Sequence, residues 1–193
     1  LLAASLGIWV AGAAAVAAAP ALAPREAALN GAWQLLTPAP KLLRSAGGGA
    51  PPLKAEGLQL YRQRQALLAK GDLSFDLSTR CKPIGFPRVL WDGGPFDIQL
   101  QRDLVFFGYT WNRNHRTAAF SDQPPKLQIP RYYGTSTAQW DGDTLVVETT
   151  NFHPGQRSER TTLSLTGKIT ERFTRISDKQ MLYQFEIENS DAG

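Results

Sequence analysis

Residues 140–150 read W-D-G-D-T-L-V-V-E-T-T: a tryptophan, a tight acidic bend, then a run of β-branched and apolar residues. Asp-Gly between two strand-like runs is a hairpin signal, because glycine takes positive φ without a Cβ clash and aspartate tolerates it. The spacing predicts a type I′ turn at Asp141–Gly142. A calcium loop at the same place would need more oxygen ligands at regular spacing and a distal glutamate, and neither follows. The bend therefore reads as structural, and it sets the scale for the rest of the chain.

Outward from this hairpin the pattern repeats. Strand-like runs occupy 86–91, 95–101, 103–111, 115–121, 135–140, 143–152, 160–166, 168–176 and 180–189. Turn residues separate them, at Asp92–Gly93–Gly94, Thr166–Gly167 and Ser177–Asp178–Lys179. With no helical period between them, these runs predict a mainly β fold over 86–189. The expected form is an antiparallel, lipocalin-like (calycin-like) barrel or a strongly bent sheet. In the last run Met181, Tyr183, Phe185 and Ile187 alternate with Leu182, Gln184, Glu186 and Glu188, as in a strand with one face to water. The run D-L-V-F-F-G-Y-T-W (103–111) is apolar on both faces, so it is expected to be covered on both sides or to line an apolar pocket.

Upstream the texture differs. Leu53, Leu60, Leu67 and Leu68 recur at helical spacing and Gly71 ends the run, which predicts one amphipathic helix over 53–70. Residues 24–52 are rich in Pro, Gly and Ala and read as a linker, with a possible short strand or apolar plug at 31–36. Residues 1–23 are uncharged and Ala-rich, the pattern of a secretory signal cleaved after Ala18 or Ala23. The chain has no initiator methionine, and its natural start is expected further upstream. Residues 53–193 are then one domain, expected in the periplasm or secreted. It would meet a membrane only through an uncleaved leader.

Composition narrows the classes. Among 193 residues, 42% are hydrophobic and 20% charged, as in a globular protein with a real core. The net charge of +4 comes from 21 Lys+Arg against 17 Asp+Glu, scattered without a dense basic block, so no nucleic-acid partner is expected. The single cysteine, Cys81, excludes an internal disulfide and reads as a small buried residue at the junction of helix and barrel. Cys81 with His115 and His153 makes too poor a ligand set for zinc, so no metal and no cofactor are expected. Phosphate loops, nucleophile elbows and H-E-x-x-H are all absent.

Charged residues with apolar strand neighbours are the candidates for chemistry. In K-I-T-E-R-F-T-R, Ile169, Glu171 and Phe173 share a face, which aims Glu171 inward. Glu148 shares a face with Val146 and Phe152, and Arg88 lies between Phe86–Pro87 and Val89–Leu90–Trp91. A buried carboxylate needs a partner, because an isolated ion in a core is neutralised instead. Arg88 and Arg116 are the expected partners, and Asp122 a third acid.

Several motifs occur in order: C-K-P-I-G-F-P-R (81–88), an arginine followed by A-A-F-S-D (118–122), G-T-S-T-A-Q-W-D-G-D-T-L-V-V-E-T-T-N-F (134–152) and I-T-E-R-F (169–173). In these the chain resembles a family of exported bacterial proteins of largely unassigned function. That family's pattern is roughly C-x-P-x-G-x-P-R, then D-G-R, then G-x-S-x-G-x-W-x-G-D-T-L-V-V-[DE]-T, then E-R-F. The likeness spans about residues 50–189, and W-x-G-D-T-L-V-V is its specific part. Two departures stand out: Asp122–Gln123–Pro124 replaces D-G-R, and the segment after Phe152 is short. The resemblance implies the fold and export.

Three readings of function follow. The first is a β-barrel that holds a small apolar or aromatic molecule between Phe106, Phe107, Tyr109, Trp111, Trp140, Tyr183 and Phe185, whose rings bury large area. The second is a cofactor-free lyase, isomerase or hydrolase. It would use Glu171, Glu148 or Asp122 as base, with Arg88 or Arg116 stabilising an oxyanion. The third is an envelope structural protein with a barrel filled by side chains.

Overall fold

The computed structural model describes residues 28–36, 49–85, 88–92, 94–123, 129–153 and 167–188. The apolar leader, most of the linker and the expected strand at 160–166 lie outside the described residues. Alternating residues and well-placed turns build one eight-stranded sheet, curled into a half-barrel. Its strands are β1 (Gly31–Trp33), β2 (Phe96–Leu100), β3 (Leu104–Tyr109), β4 (His115–Phe120), β5 (Thr135–Asp141), β6 (Thr144–Thr150), β7 (Lys168–Ser177) and β8 (Gln180–Glu188), and they neighbour one another in chain order. The strongly bent sheet expected from the sequence is what forms, preceded by one helix at Ala55–Ala69.

Neighbouring strands run antiparallel except β4 and β5, which pair in parallel with Ala118 opposite Ser136 and Phe120 opposite Ala138. A parallel pair needs a crossover of about a dozen residues, and the connection 121–134 is long enough to supply one. The β5–β6 hairpin closes on the pair Asp141–Thr144, so its two loop residues are Gly142 and Asp143. Gly142 has φ of 58°, and Asp143 is not among the residues with positive φ. Positive φ at the first loop position alone is the pattern of a type II′ turn, not the expected I′.

The concave face is the core. Phe96, Ile98 and Leu100 of β2, Val105 and Phe107 of β3, Leu145 and Val147 of β6, and Ile169 and Phe173 of β7 are all buried there. The Phe107 and Phe173 rings lie 5.4 Å apart. Each such side chain withdrawn from water stabilises the fold by roughly 2 kcal/mol.

Three local expectations are corrected. The strand expected at 86–91 gives way, over its described part, to a helical turn at Val89–Asp92. Arg88, Val89 and Leu90 are buried in succession, and a short helical turn presents them to the core together. The helix Ala55–Ala69 does not bury its leucines. Gly57 and Tyr61, one turn apart, are its buried positions, and Leu60 stays 37% exposed. Cys81 is exposed with φ of 57°, because it ends the short helical turn Leu77–Arg80 by donating its N–H to the Ser78 carbonyl.

That turn carries an ion pair. Arg88 Nη1 and Nη2 each donate to one Asp76 carboxylate oxygen at 2.9 Å, and the Ser78 hydroxyl and N–H add bonds of 2.7 and 3.0 Å. Arg88 is 2% exposed and Asp76 fully buried. Burial alone would raise the Asp76 carboxyl. The hydrogen bonds from Arg88 and Ser78 outweigh it and hold the group well below the usual carboxylate range. The pair clips the segment after the helix to the residues that enter the core at Val89 and Leu90.

A carboxyl held below its unfolded value of about 3.9 adds stability above that pH, lost as pH falls through the folded value. The urea midpoint of the native chain should therefore drop below about pH 4. Asp76→Asn should flatten that acid slope while costing about 3 kcal/mol at neutral pH, because Arg88 is left buried without its counter-ion.

Two glycines set a second test. A Cβ at Gly142 meets nothing within 4 Å, so Gly142→Val is opposed by backbone strain alone, about 1–2 kcal/mol. At Gly134, φ is 68° and a Cβ would lie 2.6 Å from both Thr149 Cγ2 and the Thr150 carbonyl. Gly134→Ala should lower the thermal midpoint more than Gly142→Ala. Equal effects would mean that the 131–134 turn is not pressed onto β6.

Candidate functional site

Strand alternation in β4 turns Arg116 and Ala118 into the concave face, where Arg116 stands opposite Phe107. Its guanidinium lies over the Phe107 ring, 4.4 Å from the centroid. A guanidinium cannot shed its proton on burial, so the trough must neutralise it. Glu171 does so from β7, with Oε2 2.6 Å from Arg116 Nη2; the Glu171 residue is 0% exposed and Arg116 5%. Arg116 Nη1 also donates to Thr149 Oγ1 at 3.1 Å, and Thr149 and Ser136 share a hydroxyl bond of 2.8 Å.

The other Glu171 oxygen, Oε1, accepts the Tyr183 hydroxyl at 2.9 Å from the diagonal position on β8. Burial pushes the Tyr183 phenol well above its ordinary value, with the Glu171 charge adding to the effect, so Tyr183 remains the donor. Burial likewise raises the Tyr109 phenol, against the opposing charge of Arg116. For Glu171 burial is the largest influence and pushes the carboxyl up, while Arg116 and the Tyr183 bond pull it down. Burial opposes the Arg116 charge, but Glu171 and the neighbouring phenols more than offset it. The result is an Arg–Glu–Tyr chain across the sheet, with Arg116 and Glu171 buried and Tyr183 partly buried.

Two cavities flank this chain. One, about 670 Å3, lies at the open seam between β1 and the β7–β8 hairpin, lined by Trp33, Leu35, Leu36, Leu90, Phe96, Met181 and Tyr183 among others. Arg175 bridges the seam. Its guanidinium sits 5.0 Å from the Trp33 ring centroid and donates to the carbonyls of Ala28, Ser177 and Asp178. The second cavity, about 600 Å3, has Arg116 and Ser136 in its wall, with His115, Arg131, Tyr132 and Tyr133. Burial holds the Tyr133 phenol up at about 12, against a hydrogen bond with Asn114. Glu171 lines neither cavity.

Of the residues singled out in the sequence, the structure brings together Glu171, Arg116, Phe107, Tyr109 and Tyr183. Arg88 is committed to Asp76 instead. Glu148 is on the outer face with its side chain 43% exposed, 3.4 Å from Lys168, because Leu145, Val147 and Thr149 are the inward positions of β6. Asp122 is exposed in the loop after β4. Phe106 points outward and stacks on His115 at 5.6 Å, so it is no part of the inner wall. Trp140 packs on Phe120, Trp111 lies partly buried against the core, and Phe185 stacks beside Tyr183. Among the described residues no three His, Cys, Asp or Glu are placed to hold a metal ion, and no helix is long and apolar enough to cross a membrane.

Sequence reasoning missed Asp76, Thr149 and Ser136. Asp76 lies in an aperiodic stretch that carries no signal. Ser136 and Thr149 neighbour the half-buried Thr135, Thr137 and Thr150, and only the pairing register separates them. The seam wall was half visible, as the apolar plug at 31–36. Comparison of the chain with protein-family models, with curated proteins and with solved structures returned no match.

Glu171→Gln leaves Arg116 buried with a neutral neighbour and should cost about 3 kcal/mol in urea unfolding. The double variant Arg116→Met/Glu171→Met should recover most of that loss. A double variant no more stable than Glu171→Gln would mean that the pair stabilises the fold in its own right.

Proposed function

We propose that the protein is a binding module for a small apolar or aromatic molecule, held in the seam cavity between β1 and the β7–β8 hairpin. The observation that carries this reading is the cavity of about 670 Å3 with Trp33, Leu90, Phe96 and Met181 in its wall. That volume lies within the range of ligand sites, which are mostly apolar with a few placed polar groups. Asn30, Gln34 and Gln180 supply polar groups to the same wall, and Tyr183 is held in one orientation there by its bond to Glu171. The apolar leader and the motifs shared with the exported family support the same protein acting in the periplasm or outside the cell.

Binding is favoured over acid–base catalysis because Glu171, the most buried carboxylate on the concave face, lines neither cavity and already holds two partners. A general base must reach a substrate proton. Two cavities of this size also fit a ligand carrier better than a barrel filled by its own side chains.

The neutral probe 1-N-phenylnaphthylamine should bind the purified chain with micromolar affinity and gain fluorescence. Leu36 lines the cavity yet is 84% exposed, so it contributes little to the core. Leu36→Glu should therefore keep the thermal midpoint and weaken the probe about tenfold, the 1.4 kcal/mol expected of a charge set against an apolar guest. No probe binding, or binding indifferent to both Leu36→Glu and Met181→Glu, would refute the seam site.

A further inference from the structure

The second cavity differs in chemistry from the first. Its wall carries two arginines, Arg116 and Arg131, and no aspartate or glutamate. Glu171, behind the wall, neutralises Arg116. Arg131 is exposed and has no acidic partner among the described residues. Among the described residues, one positive charge therefore lines a concavity of about 600 Å3 without a carboxylate partner.

The backbone holds Arg131 in place. Its N–H donates to the Asn151 carbonyl, its own carbonyl accepts from the N–H groups of Gly134 and His153, and it bridges Phe152 in parallel. Gly134 allows this turn to press against Thr149 and Thr150. Apolar and aromatic surface adjoins the charge: Ile129, Tyr132 and Tyr133 line the same space, and Tyr132 stacks on His153 at 5.5 Å with the rings nearly coplanar in tilt, 7°. The hydroxyl-bearing residues Thr117 and Thr135, both less buried than Ser136, line the same wall. A fixed cation, hydroxyls and a ring surface in one concavity are what a planar organic anion requires.

We propose that this cavity is a second binding site, separate from the seam, that takes a small aromatic molecule bearing a carboxylate or phosphate group. Arg131 is its charge-recognising residue, and Tyr132 and Ile129 cover the ring.

The chain offers a local reporter, because it has only two histidines. His115 lines this cavity and His153 stacks on its Tyr132. Benzoate and phenyl phosphate, titrated separately into the full chain, should shift the imidazole NMR resonances of both histidines saturably. The tighter of the two identifies the headgroup. Arg131→Gln should weaken binding about tenfold or more, while Arg172→Gln, an exposed arginine on β7, leaves it unchanged. Benzamide, the neutral counterpart, should produce no saturable shift. The site is refuted if neither anion shifts the histidines at millimolar concentration. It is equally refuted if benzamide binds as well as benzoate, or if Arg131→Gln and Arg172→Gln bind alike. The seam probe reads a different cavity, so either result leaves the other open to its own test.

Discussion

Arg116 stands on β4 and Glu171 on β7, with two strands between them. In a flat sheet their backbones would be on the order of 14 Å apart, three strand spacings of about 4.8 Å. Contact at 2.6 Å requires the sheet to curl until both long side chains reach across the trough. The same curl folds the apolar rows of β2, β3, β6 and β7 over one another. A buried ion pair adds little net stability against an apolar replacement, because desolvation offsets most of the attraction. Its effect is on geometry. A slip of one residue in β4 or β7 would turn the charge out of the trough and leave its partner buried alone.

The second buried pair, Asp76–Arg88, does for the chain path what the first does for the sheet. It lies in a stretch of turns, where no ladder of backbone bonds dictates the route. The bidentate contact sets where the segment after the helix meets the core, and Leu90 from that segment also lines the seam cavity. The loop is thus part of the site without belonging to the sheet.

Among the described residues the half-barrel ends at two edges, β1 and β8, with Arg175 spanning the gap to Trp33 and Ala28. Exposed edges invite pairing with other chains. Here β1 is only three residues long, and β8 sets Gln184, Glu186 and Glu188 on its outer face. Leaving the seam unpaired opens the apolar cavity. Tyr183 belongs to that cavity and Arg116 to the other, with Glu171 bonded to both. The chain of three side chains thus links a residue of one cavity wall to a residue of the other.

Local pattern was enough for the strands of 96–188, the helix before them and the inward aim of Glu171, because alternation and turn chemistry act over a few residues. Met181, Tyr183, Phe185 and Ile187 and the run Ile169–Glu171–Phe173 could be read that way directly. Local pattern could not choose the Arg116 partner over Arg88, since that depends on which strands the curl brings face to face. Nor could it place Phe106 outside and Phe107 inside in a run apolar on both faces, or turn Glu148 outward. The parallel β4–β5 pair, the Asp76–Arg88 contact and both cavities join residues far apart in the chain. Spacing along a sequence carries no distance across a fold, so these were decided only when the sheet closed on itself.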